Sequence, residues 1–308
     1  MKKQLSKCLA AGIVLALALA LTACGGTSSA EDIMVRAQEA FDGIKSMHYS
    51  IDMDMGFSAE GESINMKTTA EADCIVDPMT LDMDMTVDMM GLFDMNLKMY
   101  LVQDGDSFIT YTGIDDGEGG MSWSKDVMDN MGDMAQYDGQ ASMKVYLDNI
   151  SSFKEAGTEE INGVTAVRYD GVIAQDSLKE VLEASGTLEQ YESMGIEGMD
   201  ELLSEMGDLP VSIWIDPDTC LPVKYEMDMT KMMQSMMDKL LAEDEETAET
   251  EMTVDKCSIV MLCSDYNTID SIEIPQEALD AASSDELMTD LFSDEESELL
   301  EEAIEDAA

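Results

Sequence analysis

The chain has 308 residues, 45% of them hydrophobic, and its 16 Lys and Arg face 67 Asp and Glu for a formal charge of -51. That length holds one large domain or two ordinary ones with ample apolar material for a core, while the charge excludes electrostatic binding to nucleic acid and repels anionic lipid. His48 is the single histidine, and there is no GxSxG, Walker A, GxGxxG or CxxC pattern, so the chain is read as a non-enzyme with no cofactor and no metal.

The N-terminus, MKKQLSK, is a basic leader, and Leu9 to Leu21 is an apolar stretch too short to span a bilayer as a mature helix. It ends in Leu21-Thr22-Ala23-Cys24-Gly25-Gly26. This resembles the bacterial lipoprotein signal, in which cleavage falls before the cysteine and that cysteine carries the lipid. Residues 1–23 are therefore expected to be a signal peptide, Cys24 the residue bearing diacylglycerol and palmitate-type chains, and 24–30 a flexible tether. The protein is placed on the extracytoplasmic face of the cell membrane. Cleavage removes Lys2, Lys3 and Lys7 and no acid, which leaves 13 basic residues against 67 acids, or -54. Anchoring then rests on the acyl chains, at about 0.8 kcal/mol per buried methylene, and not on charge.

From Glu31 the apolar positions Ile33, Ala37, Ala40, Phe41 and Ile44 recur at helical spacing, so a helix is expected to end near Lys45. The period then becomes two. Tyr49, Ile51, Met53, Met55 and Phe57 fall on one side and Ser50, Asp52, Asp54 and Gly56 on the other, a half-buried strand. His48 just before it reads as a surface residue at a helix-to-strand junction.

The runs Ile64 to Val76, Leu81 to Met89, Phe93 to Val102 and Ser107 to Thr112 are divided by Gly, Pro and Asp turns and read as an antiparallel meander with one apolar and one acidic face. In the second run, TLDMDMTVDMM at 80–90, Leu81, Met83, Met85 and Val87 share a side. Asp115 to Gly120 is a plain flexible turn without the alternating ligands of a calcium loop. Ser124 then fits an N-cap, with Val127, Met131 and Met134, and later Met143, Leu147 and Ile150, at helical spacing.

A hairpin is expected around Asn162-Gly163, joining Thr158 to Ile161 with Val164 to Ile173. A helix follows from Asp176, with Leu178, Val181 and Leu182 inward. A second hairpin joins Val211-Ser-Ile-Trp-Ile215 to Leu221 to Met229 around Asp216-Pro-Asp-Thr219. Lys231 to Leu241 either extends that strand or forms a Met-rich helix, and residues 242–251 are a solvated acidic loop. Met252 to Leu262 and Asp265 to Pro275 close the sheet. The tail from Ala278 carries two capping boxes, Ser283 with Glu286 and Ser293 with Glu296, and reads as short acidic helices.

Of the six cysteines, Cys8 leaves with the signal and Cys24 carries lipid, so Cys74, Cys220, Cys257 and Cys263 remain as candidate disulfide partners. Cys257 and Cys263 share a strand about 20 Å apart, too far to bridge each other. Each would have to pair with Cys74 or Cys220, or stay free.

The segments AQEAFDGIKSMHYSIDMDM at 37–55, INGVTAVRYDG at 161–171, VSIWIDPDTCLPVKYEMD at 211–228 and DYNTIDSIEIP at 265–275 occur in an order that resembles the LolA/LppX/LprG-type lipoproteins. The resemblance implies an α+β domain over 31–277, followed by the acidic tail at 278–308: a strongly curved antiparallel sheet, or half β-barrel, with helices on the concave side around an apolar cavity. It implies a lipid or hydrophobic small molecule as partner, in envelope lipid or lipoprotein handling, and transfers no catalytic residue. The cavity lining is expected from Met53, Met55, Phe57, Met83, Met85, Val87, Trp214, Met227 and Met229. Thirty methionines suit adaptable apolar contacts. Three other readings stand beside this one: methionines that only fill a core, thioethers that chelate copper(I), and an acidic surface that serves as an interaction scaffold.

Overall fold

Alternation of apolar and acidic residues over Ser46 to Ala59 can bury only one face of an extended strand, and the chain repeats that device until the strands form a single sheet. A computed structural model gives the fold of residues 29–59, 62–88, 94–105, 107–115, 120–128, 149–175, 177–179, 207–243 and 252–283. The signal segment, Cys24, most of the Asp115 to Gly120 turn, the helical spacing over Met131 to Leu147, Val181, Leu182, the acidic stretch after Glu243 and the tail beyond Ser283 lie outside these residues.

The strands are β1 (Ser46–Ala59), β2 (Glu62–Val76), β3 (Met79–Asp88), β4 (Asp94–Asp104), β5 (Ser107–Asp115), β6 (Met121–Met128), β7 (Ile150–Ile161), β8 (Val164–Ile173), β9 (Leu209–Ile215), β10 (Pro222–Asp228), β11 (Met252–Ser264) and β12 (Ala282–Ser283). They make one 12-stranded sheet in the order β12-β6-β5-β4-β3-β2-β1-β11-β10-β9-β8-β7. Every pairing is antiparallel except β12 with β6. At about 4.8 Å per strand a flat ribbon of this kind would be on the order of 50 Å wide. Instead one core cluster joins Phe108 of β5 to Ile150 and Tyr169 on β7 and β8, because the sheet is strongly curved.

Helix α1 (Ala30–Phe41) fills one end of the concave side. It begins with a capping box in which Ser29 and Asp32 bond each other's backbone N–H. It buries Met34, Ala37 and Phe41, and full burial of Met34 and Phe41 stabilises the domain by about 1.5–3 kcal/mol each. The helix stops at Phe41, earlier than the apolar spacing suggested, and Ile44 is buried in the turn that follows.

Helix α2 (Thr230–Glu243) resolves the ambiguous Met-rich stretch as a helix. Its position has a backbone reason. Strand β10 ends with Asp228 opposite Ser258, so the start of β11 has no strand on that side. Side chains of α2 stand in for one: the Val254 N–H donates to Gln234 Oε1 (2.6 Å), Gln234 Nε2 donates to the Met252 carbonyl (3.0 Å), and the Cys257 N–H donates to Thr230 Oγ1 (3.0 Å).

Two segments differ from the sequence reading. Met121–Met128, expected to open a helix capped by Ser124, is strand β6, paired along its length with β5. Gly113 leaves room there for the Trp123 ring, whose atoms come within 3.1 Å of where a Cβ would sit. The 265–275 segment, expected as a closing strand, forms no ladder. It straps the sheet end through Asn267 N–H to the Ser46 carbonyl (2.8 Å) and Tyr266 Oη to the Pro222 carbonyl (2.6 Å). It then lays Ile272, Ile274 and Ala278, the last in the short helix α3 (Gln276–Leu279), against Tyr100, Tyr111 and Trp123 on the convex face.

Candidate ligand-binding face

Residues opposite one another in a ladder share a face, so the register converts the alternating strands into lateral rows. One concave row runs Ile114, Leu97, Met85, Ala70, Ile51, Met261, Tyr225, Ile213, Tyr169 from β5 to β8. The next runs Met95, Val87, Thr68, Met53, Ile259, Met227, Val211. Beyond it lie Met66, Met55 and Cys257, side by side on β2, β1 and β11.

Burial falls along strands β1 to β5 from one end to the other. Under α1, Met47 and Leu81 are 0% exposed and Tyr49 is 3%. At the opposite end of the same strands Met53, Met55, Phe57, Met66, Val87, Met95 and Leu97 are only half-buried. Ile64 and Ile114 reach 45% and 47% exposure. The result is one continuous apolar surface on the concave side, of the kind that marks an interaction site when a soluble domain leaves it accessible.

Met53, Met55, Phe57, Met85 and Val87, named from the alternation, meet on this surface. Met83 and Met227 are concave but belong to the packed floor, at 7% and 3% exposure. Met229 follows β10, packs against that core and donates its N–H to the Cys257 carbonyl (2.8 Å). Trp214 does not join them. It faces the convex side, between the Arg168 guanidinium (5.0 Å from the ring centroid) and Lys224 Nζ (4.1 Å), with Nε1 donating to Glu159 (2.8 Å). Ile64, Met66, Met95, Leu97, Ile114 and Ile259 were not singled out from the sequence, although the alternation that placed Met53 would have found them once carried into each neighbouring strand.

Among the described residues no two of Cys74, Cys220, Cys257 and Cys263 are bonded to each other in this structure. Cys74 lies opposite Met47 and Cys263 opposite Tyr49 on the two strands that flank β1, so about 9–10 Å of sheet separates them before the offset along the strand is counted, beyond the reach of an S–S bond. Burial pushes the Cys263 thiol up to about 12. Burial also raises Cys257, with the charge of Asp228 adding to the effect. Among the described residues no three His, Cys, Asp or Glu side chains converge as a metal-binding set.

Charge is sorted to the other side of the sheet. On the convex face Lys67 pairs with Asp52 (3.0 Å), Lys98 with Asp82 and Asp84, Arg168 with Asp170 (2.7 Å), Lys224 with Glu226 (3.1 Å) and Lys256 with Asp54 (2.5 Å). Burial pushes the Asp82 carboxyl above the usual carboxylate range although Lys98 draws it down. Burial works to lower Lys98, but hydrogen bonds to Asp82 and Asp84 outweigh it and hold the ammonium above its ordinary value. No helix among the described residues is long and apolar enough to cross a membrane.

No curated protein matches the chain. Among solved structures it is similar to the Mycobacterium tuberculosis lipoprotein LppX at 15% identity, over 80% of this chain and 100% of that one, with a TM-score of 0.42. It is similar to LprF from Mycobacterium bovis at 12% identity, over 79% and 94%, with a TM-score of 0.44. A LolA superfamily protein from Nitrosomonas europaea aligns at 8% identity over 81% and 96%, with a TM-score of 0.19. The sequence model of a family described as being of unknown function, DUF6612, matches residues 29–283, and the chain belongs to that family.

Proposed function

We propose that this protein is a lipid-anchored extracytoplasmic binder of a lipid or other hydrophobic ligand, working by noncovalent capture and not by catalysis. The observation that carries the reading is the gradient of cover on the concave face: the same strands whose apolar side chains are sealed beneath α1 leave theirs half-exposed from Met53 to Phe57 and across to Ile114. A core that needed only to be filled would have been closed at both ends. Methionine suits such a surface because its unbranched, polarizable side chain adapts to chains of differing shape. The lipoprotein-type signal ending at Cys24 supports a tether that keeps the domain beside a membrane, where such ligands reside.

The test is native mass spectrometry of the whole chain carrying Cys24→Ser, purified from the exported fraction and then incubated with mixed membrane lipid extract. A mass increment equal to one or a few lipids is expected, lost on substitution of Met55 by Glu. An adduct-free protein that takes up nothing from the extract would remove the proposal.

A further inference from the structure

Methionines two residues apart on one strand supply thioethers only, but the register of the sheet brings a thiol beside one of them from the far end of the chain. We infer that Met66, Met55 and Cys257 form a binding site for the soft monovalent ion copper(I), separate in its chemistry from the capture of a hydrophobic ligand.

Met55 of β1 stands opposite Met66 of β2 on one side and Cys257 of β11 on the other, so the three side chains share the concave face. Directly opposed residues place their Cβ atoms about 4.5–5.5 Å apart, which sets the two outer side chains on either side of the Met55 thioether. Methionine is unbranched and turns about several bonds, and the curvature of the sheet tilts concave side chains toward one another. Among the described strand cysteines only Cys257 stands in line with two thioethers. Cys74 lies between Met47 and Leu81, and Cys263 lies opposite Tyr49.

Burial and charge favour the same ion. Met55 and Met66 are half-buried whereas Cys257 is 0% exposed, so thioethers form the approach and the thiol its inner end. Burial, and then the negative charge of Asp228 at the end of β10, raises the Cys257 thiol. That same charge favours a cation on the sulfur, and a chain of formal charge -51 draws cations toward it. A harder ion finds no comparable set: among the described residues no three His, Cys, Asp or Glu side chains converge, and His48 bonds Asp73 (2.8 Å) on the convex face. Thiolate and thioether ligands select copper(I). Binding exchanges the Cys257 S–H bond for a metal–sulfur bond and passes the proton to water. No electron moves, so copper stays in its +1 state.

Copper(I) is titrated without oxygen, in competition with the chelator bicinchoninate, into the whole exported chain carrying Cys24→Ser and Cys220→Ser, which removes the anchor cysteine and the part-exposed turn thiol. About one equivalent is expected to be withheld from the chelator, with about one proton released per copper in weak buffer. Cys257→Ser should weaken binding at least about a hundredfold and end the proton release, and Met55→Leu and Met66→Leu should each weaken it at least about tenfold. Leucine keeps the volume and the apolar character, so these two chains should hold their melting temperature and their uptake of lipid, which separates loss of a ligand sulfur from loss of the fold. Copper that is not withheld from the chelator, or an affinity unchanged in Cys257→Ser or in both leucine chains, overturns the inference. Lipid uptake without copper binding overturns it alone, and copper binding without lipid uptake overturns only the lipid-binding reading.

Discussion

Met55 on β1 lies directly opposite Met66 on β2, two half-buried thioethers on the open part of the concave face with Phe57 opposite Ile64 just beyond them. Their position separates binding from stability. Met55→Glu is expected to weaken uptake of an acyl-chain probe at least about tenfold while costing the fold under about 1 kcal/mol, because the carboxylate can stay hydrated. Leu101→Ala should do the opposite. That side chain is 0% exposed beneath the covered end, so its truncation is expected to cost about 2–5 kcal/mol in urea unfolding with little effect on probe affinity in the folded fraction. Equal loss of binding from both variants would show that the uncovered end is not the site.

Helix α2 is held to β11 by side chains acting as a missing strand. Gln234→Ala strips the Val254 N–H and the Met252 carbonyl of their partners, and an unsatisfied backbone group costs about 1–3 kcal/mol when it stays buried. Amide hydrogen exchange should therefore accelerate at Val254 and at Cys257, whose N–H is held by Thr230 on the same helix, with no change at Ala72 or Leu81 in the sheet centre. Gln234→Glu is expected to recover only part of the protection, since it can accept from Val254 but cannot donate to Met252.

Much of this architecture is legible from residue order because an alternating strand has only two faces to offer. Asn162-Gly163 marked its hairpin correctly: the pair sits at φ 50° and 82° with Ile161 opposite Val164, the backbone a two-residue turn demands. Periodicity misled where a few residues fit two patterns. Val127 and the methionines after it satisfied a helical spacing, but Met121–Met128 pairs with β5 because Trp123 stacks on Tyr100 at 5.9 Å and finds its gap at Gly113. Asp265 to Pro275 reads as a strand by its isoleucines, yet Ile272 and Ile274 pack on the convex face while the Asn267 and Ser46 side chains hold the first half of the segment. Trp214, expected in the cavity lining, has the parity opposite to Ile213 and so stands outside, covered by Arg168 of β8 and Lys224 of β10. The partial cover of the concave face had no local signal, since it depends on where α1 comes to rest.

Acid sensitivity should show at the start of α2. Hydrogen bonds from the Thr230 side chain and backbone N–H hold the Asp228 carboxyl below the usual carboxylate range, against some opposition from burial. A folded value below the unfolded one means that the stabilisation is fully present above about pH 4, where the unfolded carboxyl is already ionised, and is lost as pH falls through the folded value. Asp228→Asn should therefore lower the melting temperature at pH 7, and the difference between the two chains should shrink in acid. Taking the difference cancels the general relief of charge repulsion that acid brings to so acidic a chain. A gap that stays constant from pH 7 to pH 3 would rule out this role.

Thiol reactivity supplies a check on the burial pattern that needs no ligand. Cys74 on β2 and Cys257 and Cys263 on β11 are buried, whereas Cys220 sits part-exposed in the Asp216 to Leu221 turn, at φ 62°. The thiolate is the reactive form, and burial raises Cys257 and carries Cys263 to about 12, so at pH 7.5 these two should resist alkylation on both counts. Brief treatment of the native Cys24→Ser chain with iodoacetamide is expected to modify Cys220 first, with the three strand cysteines labelled only after urea unfolding, as read by peptide mass spectrometry. If ligand occupies the surface beside Met55, saturating it with lauroyl-lysophosphatidylcholine should slow whatever residual labelling Cys257 shows and leave Cys220 unchanged, because only the former lies in the Met66, Met55, Cys257 row. Rapid native labelling of Cys263 would contradict the closed end of the sheet on which the contrast between the two ends depends.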